Sequence, residues 1–324
     1  MGIADNSLVM GQGVRVADHS SRATLGALWA AVAATCYSLS SVVGKDLLGT
    51  LGVGSMLFLR FGIAAVVLLG ILLVWSRRGG PDPFAIPRGP AVLIGVLFGL
   101  MVATGFAALR YLDVAVYIVL VYVYPALVVV AGAVMARQRP SRLTWTALAV
   151  VMVGVVLTVP ELFGGVGSVS ALGVALTLIQ AVMMAAFMII TTRVIPARVD
   201  GVVRAFWNLV GGSLAMLPFV VFGTFRLPDT GRLKLEVALF ALVPTVIASI
   251  CFFRAMRTAS ASVVAMMMTL EVVFAILWSI LFLGEPVRPV KLVGAAVVVV
   301  GVLLAQRAGR ESGDDLTGEL QAVI

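Results

Sequence analysis

Apolar residues in this chain come in long, nearly unbroken runs, not in the three-and-four spacing of a helix with one wet face. Cut at charges, prolines and glycines, the runs are Leu25–Val43, Gly54–Trp75, Ala91–Leu109, Val114–Met135, Leu143–Val159, Ala171–Thr192, Ala205–Phe222, Val237–Phe253, Ser260–Leu283 and Val290–Ala305. Each approaches the ~20 residues a helix needs to cross the hydrocarbon core. In lipid, a segment that satisfies its backbone polar groups alone must be a helix. The pattern therefore predicts an all-α integral membrane protein with ten spans. The breaks at Arg110–Asp113 and Arg254–Ala259 are the shortest.

The charges between the runs set a topology. With the N-terminus in the cytoplasm, fifteen Lys and Arg fall on cytoplasmic segments, seven on external ones, and Arg60 lies within a span. Positive residues collect on the cytoplasmic side of membrane proteins, so both termini are expected there. The polar stretch 1–23 lacks the short apolar region and small-residue cleavage site of a secretory signal, so the first run is expected to be retained as a span. Residues 306–324 are polar and are expected to form a disordered cytoplasmic tail.

An internal repeat organises the spans. A shift of 147 residues lays AALRYLDVAVYIV, from Ala107, over RAMRTASASVVAM, from Arg254. The same shift lays ALAVVMVGVVL, from Ala147, over GAAVVVVGVLL, from Gly294, and pairs Arg110 with Arg257 and Gly154 with Gly301. Valine-rich runs match by chance; an arginine and a glycine held in register over more than forty residues carry the argument. Two units result, 24–160 and 170–305, each with five spans. An odd number makes the halves run in opposite senses. Inverted repeats recur in secondary transporters, which bind substrate near the midplane between the halves.

Composition removes competing classes. The chain is 61% hydrophobic and 12% charged, with mean hydropathy +1.14, against roughly 25% charged residues in soluble domains. The net charge of +8 is scattered singly and forms no basic stripe, so nucleic acid is not an expected partner. Cys36 and Cys251 sit within apolar runs and read as small hydrophobes. The single histidine, His19, is in the polar leader, so no metal site is expected. No phosphate-binding G-x-x-x-x-G-K-[ST] loop, HExxH or GxSxG motif occurs. No cofactor is expected, and the chain does not read as an enzyme.

The second half closes with TLEVVFAILWSILFLGEPVRPVKLVGAAVVVVGVLLA, from Thr269. This resembles the closing pattern of EamA-type members of the drug/metabolite transporter superfamily: a Glu in the ninth span, a Gly-Glu at its end and a Gly-rich tenth span. FLRFGIAAVVLL, around Arg60, is similar to that family's second span, and Pro125 stands where its fourth span has proline. The family's Glu-Pro reads Glu271-Val272 here, and its first-half Gly-Glu position reads Arg137-Gln138. The resemblance covers residues 25–305. It implies two EamA-like repeats and export or import of amino acids, related metabolites or drugs without ATP; of the two directions, export is the one expected here.

Polar residues at membrane depth are costly and mark function first. Glu271 lies midway along the ninth span, where an ionised carboxylate is severely desolvated; that suits a group which takes up and releases protons, or alternatively one that bonds a neighbouring helix. Helical spacing groups Met267, Met268, Phe274, Ala275 and Trp278 beside it. Arg60 can pair with Glu271, bind a substrate carboxylate, or snorkel to the interface. Asn208 and Gln180 can bond a substrate or another helix. Tyr117, Tyr122 and Tyr124 share the fourth span, and Tyr124 is the repeat mate of Glu271. Trp29, Trp75 and Trp145 read as interfacial anchors, and Glu285 as a residue that fixes the Gly284–Pro289 turn. The candidate substrate and proton site is thus Glu271, Tyr124, Arg60, Asn208, Gln180 and Trp278.

The expected function is a secondary carrier in a bacterial plasma membrane, with proton coupling resting on Glu271. Its partners are a small-molecule substrate and membrane lipid, and a homodimer is left open. A membrane enzyme acting on lipid-linked substrates and a passive channel are the alternatives. Reporter fusions test the topology: the termini and the loops near Arg78, Arg139 and Arg198 are expected in the cytoplasm. A periplasmic C-terminus would remove the ten-span count and the inverted repeat together.

Overall fold

The computed structural model describes residues 24–40, 47, 49–112, 114–137, 139–160, 170–196, 198–223, 225–283 and 289–322, the last segment with side chains as far as Ala308. Among the described residues there is no β-strand. The helices are α1 (Thr24–Ser40), α2 (Val53–Ser76), α3 (Arg88–Ala108), α4 (Val114–Val121), α5 (Tyr124–Ala136), α6 (Arg142–Leu157), α7 (Ala171–Val194) and α8 (Gly201–Val221). They continue with α9 (Gly231–Ala241), a π-helical segment (Leu242–Ile247), α10 (Ala248–Thr258), α11 (Ala261–Met268), α12 (Leu270–Leu283) and α13 (Pro289–Ala322).

Among the described residues, eight stretches are long and apolar enough to cross a membrane, and α1 and α6 are shorter apolar helices within the first and fifth predicted runs. At 1.5 Å per residue, the 16 residues of α6 fall short of a ~30 Å core. The outward surface is apolar, with Val66 at 71% exposure, Leu93 at 68% and Val134 at 71%; this is a lipid-facing pattern, not a wet one. Helical geometry in α13 runs past Ala305 to Ala322, through the stretch expected as a disordered tail. That stretch contains no proline to stop it.

Among the described residues three spans are broken, which hydrophobic runs do not reveal. In the fourth, Pro125 has no N–H, and the chain tightens: Val123 donates to Leu120 O (3.3 Å) and Ala126 to Val123 O (3.0 Å). In the ninth, α11 and α12 flank Thr269, whose N–H and hydroxyl both go to Met266 O, at 3.2 and 2.6 Å. That hydroxyl competes with the regular helix bond. The 147-residue shift superposes Tyr122 on Thr269 and Tyr124 on Glu271, so the two breaks are repeat mates. In the eighth, Pro244 cannot donate to Phe240 O, four residues back; the Thr245 hydroxyl does so instead, at 2.8 Å. The π-helical segment forms around this substitution.

Packing respects the repeat. α3 lies on α7 and α8, and its counterpart, the α9–α10 span, lies on α2 and on α1 through Tyr37–Ser249 and Gly26–Thr258. α4 and α5 lie on α7, and their counterpart reaches α1 through the Trp278–Ser38 bond. Two bundles result: α1, α2, α9–α10 and α11–α12 on one side, α3, α4–α5, α7 and α8 on the other. They meet where α8 packs on α2 and α10, and α5 on α11. The loops are matched as well: Trp207 of α8 donates to Pro83 O after α2 (2.8 Å), and Arg226 N–H after α8 donates to Ser55 Oγ of α2 (2.9 Å). An aromatic chain joins the halves, from Phe61 to Phe98 (5.6 Å between ring centres), Phe187 (5.3 Å) and Phe252 (5.9 Å).

Small residues set the closest approaches. A Cβ on Gly95 would sit 2.4 Å from Asn208 O, and one on Gly294 2.6 Å from Thr158 N, so α3–α8 and α6–α13 cross with backbones touching. Arg137 ends α5 in the left-handed region, φ 55°. It is the repeat mate of Gly284, which lies outside the described residues, and this is the conformation that a glycine serves without strain. Gly294→Ala is expected to destabilise the α6–α13 seam by ~1–3 kcal/mol, and Arg137→Gly to stabilise by up to ~1 kcal/mol. Opposite shifts in Tm of the detergent-solubilised protein check both.

Candidate substrate site

Arg60 is buried at 5% exposure, which rules out snorkelling. Its Nε donates to Thr245 Oγ1 (2.7 Å), and its Nη2 donates to Pro244 O (2.9 Å) and Ser40 Oγ (3.3 Å). The guanidinium carbon lies 4.4 Å from the Phe240 ring centre, a cation–π contact strengthened by desolvation. The broken eighth span and Arg60 therefore need each other. The π-helical segment exposes a carbonyl and a hydroxyl to the guanidinium, and the guanidinium satisfies polar groups that a regular helix would have used itself.

Glu271 opens α12 at the ninth-span break. No Arg60–Glu271 ion pair within 4.0 Å forms among the described residues, although the two groups are in electrostatic reach. Glu271 is half-buried, as are Tyr37 and Tyr117. The field of Glu271 reaches Tyr37, Tyr117, Tyr122 and Tyr124, four of the five tyrosines in the chain.

The other expected residues divide. Tyr124 is buried, donates to Ala265 O (3.1 Å) and so bridges the two broken spans. Gln180 joins the cluster through Tyr117, whose hydroxyl donates to Gln180 Oε1 (3.0 Å); its side chain rests on the bare backbone of Gly105. Trp278 Nε1 donates to Ser38 Oγ (2.8 Å) and pins α12 to α1. Met267 and Met268 are core residues before the break, so one continuous helical face from Met267 to Trp278 does not exist. Asn208 stands apart on the α3–α8 seam, 3% exposed, with Oδ1 unpartnered among the described residues. Trp29 lies under the Arg254 guanidinium (4.8 Å) instead of serving only as an anchor. Glu285 lies outside the described residues.

Sequence reasoning missed Tyr37, Ser40, Thr245 and Ser249, which come from the first and eighth spans. Pro244-Thr245 inside an apolar run was the available signal. Among the described residues no cluster of His, Cys, Asp and Glu could hold a metal.

The sequence matches the EamA-like transporter family over residues 24–159 and again over 171–306, one match for each half. The chain belongs to the EamA-like transporter family. It is a multi-pass membrane protein built for solute transport, not an enzyme. Two curated relatives cover most of the chain. The pseudopaline exporter CntI of Pseudomonas aeruginosa is 23% identical over 87% of this chain and 96% of its own length. An uncharacterized transporter of Archaeoglobus fulgidus is 27% identical over 77% of this chain and 97% of its own. A solved crystal structure shares the fold, with TM-score 0.75 and 19% identity over 88% of this chain and 98% of its own.

Cysteine labelling in a Cys36→Ala/Cys251→Ala background tests whether Tyr37, Tyr117 and Glu271 face an interior space. Tyr37→Cys, Tyr117→Cys and Glu271→Cys are expected to react with a small charged methanethiosulfonate. Leu277→Cys, on the same helix as Glu271 but 43% exposed at the apolar surface, is expected to stay inert. Equal inertness of all four would place Glu271 against lipid or in a dry core.

Proposed function

We propose that this EamA-type protein is a ten-span secondary carrier of a bacterial plasma membrane, with both termini cytoplasmic. It exports a small organic solute carrying both an amino group and a carboxylate, and Glu271 couples export to protons. One observation supports the reading: a fixed cation, Arg60 at the eighth-span break, and an anion without an ion-pair partner, Glu271 at the ninth-span break, lie within electrostatic reach of each other. Arg60 is held by Thr245, Pro244 and Ser40. Glu271 is left for a ligand or a proton.

The chemistry follows from desolvation. A lone charge brought to this depth is costly, whereas a solute bearing both signs meets Glu271 with its ammonium and Arg60 with its carboxylate, and carries no net charge in. A proton on Glu271 removes the acceptor and releases the solute. Proton and solute thus compete for one carboxylate, which is the minimum needed for exchange of one against the other. The exporter among the relatives supports the outward direction, and the matched bundles support alternating access by rocking of one bundle on the other.

Glu271→Gln keeps shape and hydrogen-bonding capacity but cannot ionise. A hydrogen bond to a charged group contributes ~1.5–3 kcal/mol, so about ten- to hundredfold weaker binding of the ammonium-bearing solute is expected. In proteoliposomes, wild-type flux should respond to an imposed pH gradient, the Gln variant should not, and Glu271→Asp should keep part of the activity. Normal gradient-driven flux in the Gln variant would leave Glu271 a structural residue. Uptake of the carboxyl esters, which keep only the ammonium charge, as fast as the parent zwitterion would remove the role given to Arg60.

A further inference from the structure

At one end of the molecule a polar clasp joins the two bundles. Asp200 precedes α8. Its Oδ1 accepts from Val202 N–H (2.8 Å) and caps that helix, while its Oδ2 pairs with Arg257 Nη1 (2.9 Å) at the end of α10. Since α8 belongs to one bundle and α10 to the other, the ion pair crosses the boundary between them. Beside it Gly201 lies flush on α10, where a Cβ would stand 3.1 Å from Arg254 N. Arg204, 4% exposed, donates to Val199 O (3.2 Å) and Pro196 O (2.8 Å), holding the turn that presents Asp200. Arg254 stacks on Trp29 and ties α10 to α1.

The other end is built differently. The positions related to Asp200 and Arg257 by the 147-residue shift hold Val53 and Arg110, which cannot form an ion pair. The loop staples, Trp207 to Pro83 and Arg226 to Ser55, are matched between the halves; this pair is not. A contact that the repeat symmetry would allow at both ends thus exists at one.

We propose that Asp200 and Arg257 form a latch that closes the end assigned to the cytoplasm, and that opening this end breaks the pair. The proposal rests on the alternating-access reading above. The pair forms only when the bundles meet, so it stabilises the closed arrangement and adds nothing to the open one. The Arg257 and Asp200 side chains keep 31% and 22% exposure respectively, so water and salt weaken the attraction. That suits a contact broken in every cycle: an exposed pair of this kind shifts a population by about 1.5- to 5-fold. It biases the carrier toward the cytoplasmically closed state without locking it there.

Hydrogen exchange on the purified protein tests the latch without needing transport. Asn caps a helix about as well as Asp, so Asp200→Asn loses the ion pair and keeps α8 intact. Asp200→Asn and Arg257→Gln should each raise exchange in 24–32 and 254–262 by about 1.5- to 5-fold, and the double variant should do no more than either alone. Exchange in 53–60 and 104–111, at the other end, should not rise. Unchanged exchange, additive effects of the two substitutions, or a rise at both ends would overturn the latch. In the Cys36→Ala/Cys251→Ala background, Asp200→Cys and Arg257→Cys bridged by a short bifunctional thiosulfonate should stop flux, and reduction should restore it. Undiminished flux in the bridged protein would also overturn it. Absence of flux from every form, wild type included, would count against the carrier reading, while the exchange result would still decide the latch.

Discussion

Each backbone N–H and C=O at membrane depth must find a partner inside the protein, because lipid supplies none. The interior of this protein is organised by three places where a helix fails that requirement by itself. At Pro244 the missing N–H is replaced by the Thr245 hydroxyl, and the altered turn hands a carbonyl to Arg60. At Pro125 and at Thr269 the chain tightens into shorter-range bonds. The repair at Pro244 places a charged side chain against the altered turn, and those at Pro125 and Thr269 interrupt the two spans that the repeat relates.

Arg60 shows how far this coupling extends. A guanidinium at 5% exposure would be very costly without partners, and it has a hydroxyl, a carbonyl and an aromatic face from the eighth span, plus a hydroxyl from the first. The charge and the helix defect are stable only together. Glu271 is treated in the opposite way, with no ion-pair partner among the described residues and with part of its surface accessible. The proposed site uses this difference, since two mutually satisfied charges would leave nothing for a ligand to gain.

The glycines serve the same end by other means. Hydrophobic driving force is small between helices already in lipid, so close van der Waals packing has to hold the bundles. Gly95, Gly211 and Gly99 let α3 and α8 touch backbone to backbone, and Gly154, Gly294 and Gly301 do so for α6 and α13. These seams are rigid where they are tight. The bundle boundary at Asp200 and Arg257 is held by a partly exposed ion pair instead, a contact that can part at low cost.

The sequence alone determined that the chain is helical, that it lies in a membrane, and that it is a repeated five-run unit. These rest on the hydropathy of local windows and on a register of identities, both linear properties. The mating of Tyr124 with Glu271 was likewise legible, because a fixed shift is enough to state it. What the runs could not show is that the fourth, eighth and ninth are broken, since a break there costs no hydrophobicity. Nor could they show that Arg60 meets Thr245 rather than water, or that Gln180 meets Tyr117 and Trp278 meets Ser38. Arg257 read in sequence as a marker of the repeat, and nothing in the sequence linked it to Asp200. Only the tertiary structure decided these, because each joins residues 57 to 240 positions apart, and the free energy of a buried polar group depends on which neighbours the fold brings to it.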